Sequence, residues 1–217
     1  MKKNLQDKKL YVILDRAYIQ EKDLLKTTEA LLGGGARLIQ YRDKTSERAA
    51  FRNNAIALRK LIPESAVFIV NDDPRIALEI GADGVHLGQD DMPVDAVRKM
   101  LGPEFLIGLS THSLAQVLAS RNQDIDYIGF GPIYKTQTKP QALPIGLDEL
   151  PFVLRYMDRP VYPIGGITLD RLSQIKSCGG GGRMAIVSAI LLNPNISGAV
   201  RQFIELLHEE ETSLKHG

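Results

Sequence analysis

Arg42 and Lys44, Asp72 and Asp91, and the run Thr136-Gln137-Thr138-Lys139 are the residues of this chain whose types and spacing could do chemistry. Arginine offers phosphate oxygens a planar fork of donors, and lysine adds a compact ammonium. Two residues apart on an extended strand, Gln40 and Arg42 share one face, and Lys44 follows just beyond in a loop. Asn71-Asp72 and Gln89-Asp90-Asp91 each close an apolar run. Any one of these aspartates could simply cap a helix, a task for which Asp is well suited. Taken with Arg42 and Lys44, however, Asp72 and Asp91 are the expected metal pair. No His or Cys adjoins them, which fits a hard cation. Mg2+ is held by one or two carboxylates, with water and substrate phosphates completing its shell. The Thr136–Lys139 run places two hydroxyls and an ammonium in the long irregular stretch 132–146, the pattern of an anion-binding lid. Gly165-Gly166 and Ser188-Ala189 offer backbone N–H groups to a second phosphate. Together these describe two anion sites, one of them with metal ligands. The matching substrates are a pyrophosphate with Mg2+ and a phosphate monoester.

Other chemistries find no support. No Ser-His-Asp or Cys-His arrangement is present, and no lysine ends a strand inside the apolar core as a Schiff-base lysine would. His86 lies within a strand run and reads as a hydrogen-bonded core histidine. Cys178 has neither His nor carboxylate beside it, so it reads as a packed residue near a helix end.

The elements that must position these residues repeat. Short apolar runs end in polar residues, and each is followed by a stretch of helical spacing; eight such cycles fill the chain. The runs are mostly continuous rather than alternating, which marks parallel strands covered on both faces. A (β/α)8 TIM barrel is the natural solution, with its site at the carboxyl ends of the strands. An open doubly wound sheet would require a Gly-rich turn after the first strand, where the sequence has Asp15-Arg16-Ala17-Tyr18. Thr45 or Ser46 is expected to cap the helix that carries Phe51, Ala55, Leu58 and Leu61 on one face. Asp73-Pro74 is expected to start the next. Residues 1–217 read as one domain, with 1–9 and about 209–217 as tails.

Composition bounds the partners. Hydrophobic residues make up 44% of 217 and charged residues 24%, near the globular average. A net charge of +1 with mixed signs is no footprint for nucleic acid or an anionic membrane. The apolar runs fall far short of the ~20 residues that span a bilayer. One cysteine and no signal-peptide pattern fit a reducing cytoplasm.

The motifs resemble, in order and spacing, those of the thiamine phosphate synthase family. The resemblance rests on Gln40-Tyr41-Arg42-Asp43-Lys44, Asn71-Asp72, Val85 to Asp91, Gly108 to His112, Gly131 to Lys139, Ile164 to Ile167 and Val187 to Ile190. It implies the Mg2+-dependent joining of 4-amino-2-methyl-5-hydroxymethylpyrimidine diphosphate to 4-methyl-5-(2-phosphoethyl)thiazole, with release of pyrophosphate. Carried over by motif, Arg42, Lys44, Asn71 and Lys139 would hold the diphosphate, and Asp72 and Asp91 the metal. Gln40 and Ser110 would contact the aminopyrimidine. Thr136, Thr138, Gly166, Val187 and Ser188 would surround the thiazole phosphate. Arg42, Lys44, Ser110 and Lys139 would carry the catalytic load. The family also brings the expectation of a homodimer, which no surface patch in the sequence indicates. Two alternatives share the barrel: a thiazole tautomerase leaning on a general base such as His112, and a non-catalytic thiamine-phosphate-binding barrel. The complete diphosphate set favours the synthase.

Overall fold

A computed structural model describes residues 2–138, 141–179 and 182–208. Strands and helices alternate: β1 (Leu10–Asp15), α1 (Leu24–Gly33), β2 (Leu38–Arg42), α2 (Arg48–Leu61), β3 (Val67–Asn71), α3 (Pro74–Glu79), β4 (Gly84–Leu87) and α4 (Val94–Leu101). The second half continues with β5 (Leu106–Thr111), α5 (Leu114–Ser120), β6 (Tyr127–Phe130), α6 (Leu150–Tyr156), β7 (Val161–Pro163), α7 (Leu172–Ser177), β8 (Met184–Ile186), α8 (Ser188–Leu191) and α9 (Ile196–His208). The strands β1 to β7 lie side by side in chain order, all parallel, and β8 pairs with β1. An isolated parallel bridge between Ile164 and Ala185 joins the ends of this sheet. The architecture is the (β/α)8 barrel that the sequence pattern predicts.

Side-chain alternation explains the two cores. Leu10, Val12 and Leu14 of β1 point outward under the helices, while Tyr11 and Ile13 point into the barrel. With both faces covered, the strands have no need of polar alternation. The barrel interior includes Leu38, Val67, Ile69, Leu106, Tyr127 and Tyr162, and Leu5 packs into it from the amino-terminal ends of the strands. The segment before β1, expected as a tail, therefore closes the bottom of the barrel. Lys3 and Lys2 anchor it through ion pairs with Asp83 (2.9 Å) and Asp126 (2.6 Å).

Local capping follows the sequence at α3 and departs from it at α2. Asp73 caps α3, accepting from the N–H groups of Arg75 (3.0 Å) and Ile76 (2.9 Å), with Pro74 in the first turn. Helix α2 buries Phe51, Ala55 and Leu58 as its spacing predicts. Neither Thr45 nor Ser46 caps it, because the helix begins only at Arg48, after Glu47. Both residues instead bond Asp43: its Oδ1 accepts from Thr45 N (2.9 Å), Thr45 Oγ1 (2.8 Å) and Ser46 N (3.0 Å). An ionised side-chain acceptor earlier in the same loop outcompetes the helix start. The short helix α8, directly after β8, has no counterpart among the sequence-based expectations. Residues 209–217, expected as a tail, lie outside the described residues. Among those described, no helix is long and apolar enough to cross a membrane.

Candidate active site

One cavity opens at the carboxyl ends of the strands and encloses about 900 Å³, including space open to solvent at its mouth. That volume lies at the upper end of the range for small-molecule sites, about 300–1,000 Å³. Nine of the residues expected to bind substrate line it: Gln40, Arg42, Asn71, Ser110, Thr136, Thr138, Gly166, Val187 and Ser188. They come from six different strand ends and loops, so only barrel closure brings them together.

Arg42 is held in place from behind. The register sets Asp15 beside Arg42, and Asp15, fully buried, accepts from Arg42 Nη1 at 2.6 Å and from Ala17 N at 2.9 Å. One edge of the guanidinium is thus fixed. The loop after β2 is braced through Asp43, which also accepts from the Tyr41 hydroxyl at 3.0 Å and faces Arg16 Nε at 3.6 Å. Burial pushes the Asp43 carboxyl up. The side chains and N–H groups of Ser46 and Thr45 outweigh that push and leave it at about 2.

Lys44, Asp72 and Asp91 do not line the cavity itself; they cluster next to Asn71, at the end of β3. Lys44 forms an ion pair with Asp72, and Asp91 accepts from Gly88 N at 2.6 Å. Burial pushes the Asp72 carboxyl above its ordinary range; Lys44 pulls the other way, and the adjoining Asp91 carboxyl pushes it further up. Asp72 also has φ of 63°, a left-handed conformation uncommon outside glycine, of the kind that collects at functional sites. Among the described residues no group of three or more His, Cys, Asp or Glu is disposed to hold a metal. The two carboxylates and their mutual strain fit a cation that takes only one or two protein ligands, as Mg2+ does.

The corner at Thr136, Thr138 and Gly166 is lined by hydroxyls and backbone. Thr138 N donates to Thr136 Oγ1 at 3.2 Å, and the Thr138 hydroxyl lies 2.8 Å from the hydroxyl of Tyr18, in the loop after β1. Gly166 has φ of 63°, and a Cβ on it would sit 2.6 Å from the Lys135 carbonyl oxygen, so only glycine fits there. Val187 and Ser188 line the cavity with it, and the Arg171 guanidinium donates to the Gly166 carbonyl oxygen at 2.6 Å from outside the lining. Lys139, expected to complete the lid, lies outside the described residues.

His86 meets its expectation as a buried, hydrogen-bonded histidine, yet it also reaches the cavity wall. Its Nε2 lies 2.9 Å from Ser110 Oγ. His112 lines the wall as well, with Nδ1 against the Gly131 carbonyl. Sequence reasoning missed Asp15, Tyr18 and Tyr11. Strand parity was the available signal for Tyr11 and Asp15, which alternate with the outward Val12 and Leu14.

Comparison with known proteins follows the same lines. A family model described as thiamine monophosphate synthase matches residues 10–190. The thiamine-phosphate synthase of Lawsonia intracellularis is 41% identical over 212 residues, covering 93% of this chain and 95% of that protein. That of Persephonella marina is 39% identical over 191 residues, covering 88% and 91%. A solved structure of thiamine phosphate pyrophosphorylase from Pyrococcus furiosus matches with a TM-score of 0.85 at 32% identity, covering 95% of this chain and 98% of that one.

Proposed function

Because the chain belongs to the thiamine monophosphate synthase family, we propose that it joins 4-amino-2-methyl-5-hydroxymethylpyrimidine diphosphate to 4-methyl-5-(2-phosphoethyl)thiazole, giving thiamine phosphate and pyrophosphate. It is an enzyme of the transferase class. The observation that carries this reading is the cavity that brings Arg42 together with the backbone-rich corner at Gly166, Val187 and Ser188. Such a division would tell a diphosphate from a phosphate monoester.

In this reading Arg42, Lys44, Asn71 and Lys139 bind the diphosphate, and Gln40 and Ser110 orient the aminopyrimidine. Thr136, Thr138 and the N–H groups of Gly166, Val187 and Ser188 receive the thiazole phosphate. Asp72 and Asp91 would hold Mg2+, whose charge offsets that of the departing pyrophosphate. The C–O bond to the diphosphate breaks first, its electron pair leaving with the pyrophosphate, and the electron-rich aminopyrimidine stabilises the methylene cation. The thiazole nitrogen then attacks. No proton need be removed by the protein, so the lack of a base–nucleophile pair is consistent with the chemistry. Catalysis is positioning together with stabilisation of the leaving group by fixed charge. The same reading keeps the enzyme in the cytoplasm, in accord with a single half-buried cysteine.

The test is a coupling assay with both substrates and Mg2+, following both products, with an EDTA control. Formation of thiamine phosphate and pyrophosphate that stops with EDTA supports the whole reading. Product formation indifferent to EDTA removes the metal, and no product with thiazole phosphate still bound removes the synthase.

A further inference from the structure

The middle of the barrel departs in chemistry from a typical parallel barrel, whose interior layers are filled mainly by branched aliphatic side chains. Here a continuous row of polar side chains crosses it. Gln40 Nε2 donates to the Tyr11 hydroxyl at 2.5 Å, and the Tyr11 and Tyr127 hydroxyls are 2.8 Å apart. Tyr127 Oη lies 3.2 Å from His86 Nδ1, and His86 Nε2 lies 2.9 Å from Ser110 Oγ. Tyr11, Tyr127, Gln40 and His86 are all buried. Gly108 makes room for them: a Cβ there would fall 2.1 Å from Tyr127 Cζ and 2.5 Å from His86 Nδ1.

Proton counting gives the row a direction. Each phenol has one proton. Tyr11 accepts from Gln40, so its own proton goes to Tyr127. Tyr127, having accepted, gives its proton to His86 Nδ1, which fixes the imidazole as the Nε2–H tautomer. That N–H donates to Ser110, and the Ser110 proton is left for the cavity. At the other end, one N–H of the Gln40 amide is committed to Tyr11, which fixes the side chain and leaves its carbonyl oxygen as the acceptor it offers the cavity. Burial, above all, pushes the hydroxyls of Tyr11 and Tyr127 well above the ordinary phenol range, so both keep the protons the row requires.

We infer that Tyr11, Tyr127 and His86 are positioning residues that hold Gln40 as an acceptor and Ser110 as a donor, and so select an aminopyrimidine over its oxo analogue. An aminopyrimidine supplies an N–H donor and a bare ring nitrogen, complementary to that pair. In the oxo form the pattern inverts: the exocyclic group accepts and the adjoining ring nitrogen carries a proton. A site with fixed polarity rejects the inverted pattern, because its own polar groups are then left unpaired. The inference rests on the synthase reading for the identity of the substrate.

Two measurements on the full-length protein test it. The first is a long-range proton–nitrogen spectrum of the protein labelled with nitrogen-15 histidine, with the His86 signals identified by their loss in His86→Gln. A protonated Nε2 and bare Nδ1 are expected; the opposite tautomer, or an imidazolium, overturns the direction of the row. The second is the coupling assay with amino and oxo pyrimidine diphosphates. Tyr127→Phe is expected to raise KM for the amino substrate about tenfold, the value of one hydrogen bond, leaving KM for thiazole phosphate unchanged. Its preference for amino over oxo substrate should narrow by a similar factor. Tyr162→Phe is the control for packing, since Tyr162 lies in the same aromatic cluster but donates to the Lys8 carbonyl instead (2.7 Å). It should keep the wild-type preference. A Tyr127→Phe enzyme that folds, shown by its thermal midpoint, and retains full selectivity sinks the inference alone. A wild-type enzyme that makes no product from the amino substrate sinks the synthase reading and this inference with it.

Discussion

Asp15 faces Arg42 across the β1–β2 register and fixes one edge of its guanidinium, so in the proposed function the carboxylate would act on the diphosphate through another side chain. Asp15→Asn keeps the shape and removes the charge. It should raise KM for the pyrimidine diphosphate about tenfold, as expected for one charge-assisted hydrogen bond, without moving KM for thiazole phosphate. Steady-state kinetics with each substrate varied in turn would decide; equal rises in both KM values contradict a role confined to Arg42. Asp43 makes a different prediction, in pH. Its folded value of about 2 lies below the ordinary value of about 3.9, so the folded state releases its proton more readily than the unfolded chain. The stability this gives is fully present above about pH 4 and fades as pH falls toward 2. Asp43→Asn should therefore be less stable than wild type at pH 7, with the gap closing between about pH 4 and pH 2. Denaturant melts at a series of pH values measure it, and a gap independent of pH rules out the carboxylate as the cause.

At the level of elements, adjacent aspartates at the start of α3 do opposite things. Asp73 caps the helix, so Asp73→Ala should cost about 1 kcal/mol of stability and leave turnover close to wild type. Asp72 sits in a left-handed conformation, with a carboxyl that burial and Asp91 make harder to ionise. Asp72→Asn should hold or raise the stability of the metal-free protein while abolishing most Mg2+-dependent turnover. Paired urea melts and rate measurements separate the two, and parallel losses in both variants would refute the division. The sequence made this pair legible because Asp-Pro is a strong helix-start signal and Asn71-Asp72 ends an apolar run. The same reasoning located Gln40, Arg42, Asn71 and Ser110, because strand ends converge whatever their exact register. It failed where a residue's partner lies far along the chain. Asp15 reads as one polar residue in a turn until pairing sets it against Arg42. Thr45 and Ser46 mislead for a different, local reason: Asp43, two and three residues earlier, claims them as partners. Tyr11 and Tyr127 pass as strand aromatics, since nothing local says that their hydroxyls meet.

At the scale of the molecule, the barrel's ends meet at the isolated bridge from Ile164 to Ala185, while every other neighbouring pair of strands has a full ladder. The residues that would receive the thiazole phosphate, Gly166 on one side and Val187 and Ser188 on the other, follow directly on that joint. A phosphate bound there would tie β7 to β8. Amide hydrogen exchange should be faster along β8 and residues 164–166 than in β2 to β5, and saturating thiazole phosphate should slow it there selectively. Uniform protection, or none, would place the ligand elsewhere. The other seam of β8, its ladder with β1, has a consequence in time. Strands β1 to β7 can add to the sheet one after another, each with a neighbour close in sequence. The pairing of Leu10 with Met184 must close a loop of nearly the whole chain, the costliest in entropy and the slowest to form. Docking of β8 between β1 and β7 is then expected as the last step of barrel closure, and in the proposed function binding of thiazole phosphate would report that folding is complete.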